Sequence, residues 1–313
     1  AGSAAEGASV YVTLEPCSHH GETPPCADAL VAAGVRRVVV AIEDPNPRVN
    51  GQGIARLREA GVEVTTGVLR GRAQVAHAGF FRSVTQGRPM VSLKLASSLD
   101  GRIATATGES RWITGAQARR MVHGLRARHD AVLVGGGTAR ADDPDLRVRD
   151  LGINHQPVRV VMSRRLDLPL SGKLAASARE TPVWLIHGAD ADAELARAWE
   201  DLGARLLPVS ASVGRQLDPA AALGALGDAG VTRVFCEGGG ALAASLLQAG
   251  LVDRLYHFIA GKALGAEGQP MIGALGLDRL ADAPGLKLVE TRPVGCDVMS
   301  LWERTSDDSG QGL

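Results

Sequence analysis

The sequence predicts an α/β protein of two domains, each a mostly parallel sheet layered between helices, and three observations lead there. Apolar runs of strand length alternate with segments of helical spacing along the chain, the order that builds parallel sheets. The run V-V-V-A-I at 38–42 is continuous rather than alternating, which suits a strand covered on both faces, whereas the strand at 90–95 alternates. Finally, 313 residues with 45% hydrophobic content exceed what one core holds comfortably, so two domains are expected.

In chain order, residues 10–14 read as a strand and 27–34 as a short helix closed by Gly34. Residues 37–43 form the next strand, D-P-N-P at 44–47 breaks it, and a helix at 53–60 precedes a strand at 62–68. Helical spacing resumes over 72–85, and G-R-P at 87–89 reads as a linker. The domains are therefore placed at 1–86 and 87–305. A strand at 90–95 opens the second, S-S-L-D-G at 97–101 turns out of it, and an amphipathic helix covers 117–128. A strand at 131–134 runs into the glycine run 135–137, followed by strands at 158–162, 183–186 and 206–209 with helices at 193–202 and 219–229. The strand 233–236 passes through Glu237 and glycines 238–240 into a helix at 241–249. The apolar strand 255–260 and an antiparallel pair, 286–292 with 297–303, complete the domain, and the polar tail 306–313 is expected to be disordered.

Lys plus Arg equals Asp plus Glu at 34 each, so net charge points to no nucleic-acid or membrane partner. The N-terminus shows no targeting segment and no apolar run reaches membrane-spanning length. Four scattered cysteines make no disulfide framework, and a reducing cytoplasmic setting fits them best. The chain starts without Met, which suggests a fragment. The apolar strand 255–260 and the C-terminal pair are candidates for a homo-oligomer surface.

Three constellations carry chemistry. Cys17 and Cys26, in P-C-x8-C at the end of the first strand, are soft ligands suited to zinc, but they form half of a tetrahedral site. Two buried, unligated cysteines are the alternative, and His19 and His20, whose adjacent side chains point apart, are read as loop residues. E-G-G-G-A-L at 237–242 leads a strand into a helix, where free N–H groups hold a nucleotide phosphate, or where glycines merely make a tight turn. Polar segments also flank the second domain's strands: K-L-A-S-S-L-D-G at 94–101, G-E-S-R-W-I-T at 108–114, G-G-G-T-A-R-A-D-D-P at 135–144 and L-R-V-R at 146–149.

In register and order, Y-V-T-L-E-P-C-S-H-H-G-E-T-P-P-C, D-P-N-P, K-L-A-S-S-L-D-G-R, G-E-S-R-W-I-T and A-D-D-P-D-L resemble the motifs of the bifunctional riboflavin biosynthesis family, RibD, over about 10–301. The resemblance implies a truncated cytidine-deaminase-like domain followed by a dihydrofolate-reductase-like domain. The first hydrolyses the amine of a diaminopyrimidinone ribosylamino 5′-phosphate; the second uses NADPH to reduce ribosyl to ribityl. Cys17 and Cys26 then correspond to the thiolate zinc ligands. The family's H-A-E, which supplies the third ligand and the proton-shuttling Glu, would fall before Ala1, so the chain as written is expected to hold zinc poorly and not to deaminate.

For the reductase, the resemblance implies substrate contacts from Ser110, Arg126, Leu146, Arg149 and Glu237, with Arg126 and Arg149 on the 5′-phosphate. It implies NADPH contacts from Ala96, Trp112, Thr138, Asp142, Ser163 and the turn Gly239, Gly240, Ala241, Leu242, Ala243, Ala244 and Ser245. Lys94 is the candidate for polarising or orienting the sugar carbonyl or imine, against a solvent-facing strand lysine. Arg164 and Arg165 are candidate readers of the 2′-phosphate of NADPH. The rival functions are a reductase with a purely structural front domain, and a non-catalytic zinc- or nucleotide-binding protein.

Overall fold

A computed structural model describes residues 2–210 and 216–305, and the expected tail at 306–313 lies outside the described residues. The chain divides into two compact units, Ala1–Gly87 and Arg88–Leu313.

In the first unit, β1 (Ser9–Val12), β2 (Arg37–Val40) and β3 (Glu63–Thr66) form a parallel sheet in that order. The connections are α1 (Cys26–Ala32) and α2 (Gln52–Glu59), and α3 (Arg70–Gln86) closes the unit. Val38, Val40, Ile54, Leu57 and Ala27 make one core, while Val39 is buried on the opposite face. That two-sided burial is the reason the run in β2 is continuous. The first strand stops at Val12, two residues earlier than its apolar pattern suggests. Beyond it Glu15 turns inward, 4% exposed, and its carboxylate accepts the backbone N–H groups of Asp44 (3.2 Å), Gly51 (2.9 Å), Gly53 (2.9 Å) and Ile54 (3.2 Å). Gly51, at the N-terminal end of α2, offers no side-chain cap, so Glu15 caps the helix from a distance. A Cβ on Gly53 would lie 1.9 Å from the Pro16 carbonyl oxygen, so only glycine allows this approach.

The second unit holds β4 (Met90–Ser98), β5 (Arg102–Ala104), α4 (Ala116–Arg126), β6 (Ala131–Gly135), α5 (Gly136–Asp142), β7 (Val158–Met162) and α6 (Lys173–Ala176). There follow β8 (Val183–Gly188), α7 (Ala193–Asp201), β9 (Arg205–Val209), α8 (Pro219–Asp228), β10 (Arg233–Cys236), α9 (Gly240–Gln248), β11 (Arg254–Ala260), β12 (Gln269–Pro270), β13 (Leu286–Val294) and β14 (Asp297–Arg304). Among the described residues the main sheet runs β13-β14-β11-β4-β10-β6-β7-β8-β9. It is parallel from β11 to β9, and β14 and β13 are added antiparallel. Leu93, Leu133 and Val234 pack on one face with α8 and α9, while Val132, Phe235 and Phe258 pack on the other with α4, α6 and α7. The result is a three-layer α/β/α unit.

Helix α5 begins inside the glycine run 135–137, at Gly136, where a Cβ would come within 2.9 Å of Ser163 Oγ. Close packing on Ser163 overrides the poor helix propensity of glycine. Strand β11, expected as part of an oligomer surface, lies inside the sheet between β14 and β4, whereas β13 is exposed along most of its length. At the start of β4, Arg88 makes a buried two-pronged ion pair with Asp253, Nη1–Oδ2 2.8 Å and Nη2–Oδ1 3.0 Å, and Asp253 also accepts Val91 N–H at 2.9 Å. This pair fixes how β4 enters the sheet beside β11. No helix among the described residues is long and apolar enough to cross a membrane.

Candidate active site

The strand ends of β4, β6 and β10 meet where the sheet reverses its direction of growth, the place where α/β sheets bind ligands. A cavity of about 460 Å³ opens there. Lys94 and Ala96 from β4, Ser110 and Trp112 from the following loop, Arg126 from α4, Thr138 and Asp142 from α5, Leu146 and Arg149 from the next loop, and Glu237 after β10 all line it. Ten of the residues proposed from the sequence are thus brought to one wall-to-wall space.

Strand alternation turns Lys94 and Ala96 away from the core side occupied by Leu93 and Leu95. Glu237 is pinned by its own N–H donating to Leu133 O at 2.9 Å. It meets Arg126 through Nε–Oε1 at 2.5 Å and Nη2–Oε2 at 3.0 Å, both side chains being 12% exposed. Burial pushes the Glu237 carboxyl up, but Arg126, then Lys94 and His123, outweigh it and hold the group below its ordinary range. For Lys94, burial drives the ammonium down from 10.5, Glu237 opposes that and Arg126 adds to it. The cavity floor is therefore a carboxylate between two cations, one of which gives up its proton more readily than free lysine.

Arg126 is less free than expected for a phosphate clamp. Its fork is spent largely on Glu237 and on the Arg147 carbonyl, at 2.9 Å from Nη1. Arg149 is the more available guanidinium, 55% exposed and only loosely paired with Asp145 at 3.5 Å. Leu146 has a positive φ of 62° and is 2% exposed, so its side chain serves the core and the turn around it is held against strain.

Trp112 stands at the rim, 61% exposed, with the Arg119 guanidinium 4.7 Å over its ring. Its carbonyl accepts Lys262 Nζ at 2.7 Å. The S-S-L-D-G motif supports that loop: Asp100 accepts N–H groups of Leu264 and Gly265, and a hydrogen bond from Ser98 leads the causes that lower its carboxyl to about 2. The motif thus turns out to be a loop clasp.

The remaining expected cofactor residues lie off the cavity wall. Ser163 is buried, its Oγ donating to Asp167 Oδ1 at 3.0 Å. Leu242, Ala243 and Ala244 are core residues of α9, so any ligand contact from them runs through backbone. Gly238 and Gly239 have positive φ of 80° and 67°, and a Cβ on Gly239 would lie 2.7 Å from Thr138 Oγ1. Packing thus accounts for Gly239. The N-terminus of α9 nevertheless has no side-chain cap, which leaves its first N–H groups open to an anion.

Sequence reading missed Arg119, Val122 and His123, which also line the cavity. With Arg126 they stand at i, i+3, i+4 and i+7 of α4, one helix face, and that spacing was the available signal.

In the first unit, Cys26 opens α1 and its N–H points at Cys17 Sγ, 3.2 Å away. The neighbouring Cys17 thiol, followed by burial, raises the Cys26 thiol, as expected for two sulfurs side by side. Among the described residues no third His, Cys, Asp or Glu joins them into a metal-binding group. The described residues therefore fit half of a zinc shell.

The second unit is thus a three-layer α/β frame with a buried Lys94–Glu237–Arg126 cluster in its cavity wall, and the first unit carries the thiol pair Cys17 and Cys26. Residues 89–300 match the RibD C-terminal domain family, and residues 1–42 match the cytidine and deoxycytidylate deaminase zinc-binding region. The riboflavin biosynthesis protein RibD of Escherichia coli is 44% identical over 303 residues, 95% of this chain and 82% of that protein. That of Bacillus amyloliquefaciens is 38% identical, over 95% and 80%. The solved structure of Acinetobacter baumannii RibD superposes with a TM-score of 0.84 at 38% identity, covering 97% of this chain and 83% of that one. A Thermotoga maritima diaminohydroxyphosphoribosylaminopyrimidine deaminase/5-amino-6-(5-phosphoribosylamino)uracil reductase gives 0.81 at 31% identity, over 96% and 80%. The chain belongs to the RibD family of bifunctional riboflavin biosynthesis enzymes.

Proposed function

We propose that the cavity of the second unit binds NADPH and a pyrimidine bearing a ribosylamino 5′-phosphate, and that the ribosyl group is reduced there to ribityl. The observation that carries this reading is the buried Lys94–Glu237–Arg126 cluster in the cavity wall. The residues present fit the dinucleotide: Trp112 offers a flat face, Ala96, Thr138 and Asp142 line the same space, and the uncapped α9 N-terminus suits a phosphate. When bound, NADPH supplies a hydride.

The chain's own residues do the rest. Glu237 holds Arg126 and orients the polar edge of the substrate, and Arg149 takes the 5′-phosphate, with the spare N–H groups of Arg126 in support. Lys94 lines the same wall and gives its proton to the imine nitrogen of the opened sugar as hydride reaches the adjoining carbon, a role its lowered affinity for that proton favours. The walls fix donor and acceptor together, which is the larger part of such a reaction.

The second reading, a reductase without deaminase chemistry, is favoured for these residues by the two-thiol half-site. The 313-residue polypeptide is expected to oxidise NADPH with the deaminated substrate and to release no ammonia from the aminated one. Ammonia release would refute the half-site reading, and absence of NADPH oxidation would refute the reductase.

For the 2′-phosphate, Arg164 is largely committed: it pairs with Asp190 and is 15% exposed, while Arg165 is exposed. Arg165→Ala is expected to lower the preference for NADPH over NADH about tenfold, and Arg164→Ala much less, as ratios of kcat/KM. Equal small effects would remove both from this role.

A further inference from the structure

The turn from Asp145 to Asp150 carries Leu146 and Arg149 and contains two positive φ angles, 62° at Leu146 and 62° at Asp150. Such a backbone persists only when its surroundings fix it. Here one face of α4 does so with three side chains spaced by three residues. Arg120 Nη1 donates to Asp150 O at 3.1 Å, Arg126 Nη1 donates to Arg147 O at 2.9 Å, and His123 Nδ1 accepts the Arg149 N–H at 3.3 Å.

Of the three, His123 is the one that accepts, and the one that titrates near neutral pH. Because Nδ1 receives a proton donor, the neutral ring must carry its own proton on Nε2. A protonated ring would set Nδ1–H against the Arg149 N–H, two donors facing each other.

We propose that His123 is a positioning residue for substrate: its neutral imidazole docks the turn that holds Arg149, and protonation releases that turn and weakens binding of the phosphorylated substrate. This rests on the reductase reading of the same cavity. The charges that face His123 are Arg126 on its own helix, Arg149 and Asp150 on the turn, and Glu237 after β10. Burial, then Arg126 and Arg149, lower the imidazole below its ordinary 6.5 against the opposing pull of Glu237 and Asp150. The sign follows: the folded state releases this proton more readily than the unfolded chain, so docking is complete above the ordinary imidazole range and lost as pH falls through the lowered value.

The test compares wild type, His123→Asn and His123→Phe in NADPH oxidation with the phosphorylated substrate across acid to neutral pH. Asn keeps an acceptor near the Nδ1 position and cannot titrate; Phe keeps the ring and has no acceptor. At neutral pH the Phe variant should show a KM about tenfold higher with kcat within about twofold, and the Asn variant should stay near wild type. As pH falls, the KM of wild type should climb away from that of the Asn variant. The substrate phosphate protonates near pH 6, but that affects all three alike. Parallel profiles for wild type and Asn, or a Phe variant with unchanged KM, would overturn the proposal. Nitrogen-15 NMR of the imidazoles gives a readout independent of turnover: the Nε2–H tautomer is expected for His123, and the Nδ1–H tautomer would contradict it. A wild-type chain that oxidises no NADPH refutes the reductase reading instead, and the NMR result still decides the docking.

Discussion

Glu237→Gln is expected to lower the reductase kcat/KM by about 10²–10³ while leaving the fold intact. The carboxylate is the single anion of a buried cluster, paired two-pronged with Arg126 and drawn further down by Lys94. Removing one preorganised group that stabilises the transition state costs about 2.7–4 kcal/mol, which at about 1.4 kcal/mol per tenfold is the stated loss. Gln preserves shape and one acceptor, so the core contacts of β10 should survive and circular dichroism should be unchanged. The pH profile adds a sign. Lys94 serves as a proton donor only while charged, and that form is lost as pH rises through a pKa already below 10.5. Without Glu237 the opposing pull on Lys94 disappears, so the alkaline limb of kcat should move to lower pH. A limb that stays put would separate Lys94 from the proton-transfer role.

The second large effect belongs to the first unit. Glu15→Ala is expected to destabilise Ala1–Gly87 by on the order of 3 kcal/mol or more. The carboxylate is 4% exposed and satisfies the N–H groups of Asp44, Gly51, Gly53 and Ile54, so its loss strands buried donors and uncaps α2 together. Gly53→Ala should act through the same junction, because its Cβ would sit 1.9 Å from Pro16 O. Hydrogen exchange resolved by residue reads both: faster exchange across 44–60 in the variants is the expected outcome, with the second unit unaffected. Protection unchanged in that segment would show that the clasp contributes little.

This junction also shows what the sequence made legible and what it hid. The alternation of apolar runs and helical spacing specified two α/β units because strand burial on both faces leaves a continuous pattern, as in β2. It did not reveal that Glu15 and Asp100, inside the two most recognisable motifs, accept backbone N–H groups of distant segments. A carboxylate's partners are set by distant segments that come near only on folding. Arg126, at the end of α4, and Glu237, after β10, were legible through resemblance and Lys94 as a candidate on its strand, but the pairing of Arg126 with Glu237 was not. Helix α5 was hidden because glycine packing against Ser163, a tertiary contact, outweighs local propensity. The site role of His123 was missed for a similar reason: its partner, the Arg149 N–H, lies on a turn whose path only the fold defines.

The proposed alignment of NADPH with the sugar of the phosphorylated substrate, in the cavity lined by Lys94 and Glu237, requires direct hydride transfer. Mass spectrometry of product made with NADPH deuterated at the transferring carbon reads that transfer. One deuterium on the first carbon of the ribityl chain is the expected outcome for both proteins, with labelled product formed at least about tenfold more slowly by Lys94→Met. Product without deuterium from the wild-type chain would overturn direct transfer, and labelled product from Lys94→Met at the wild-type rate would overturn the role of Lys94.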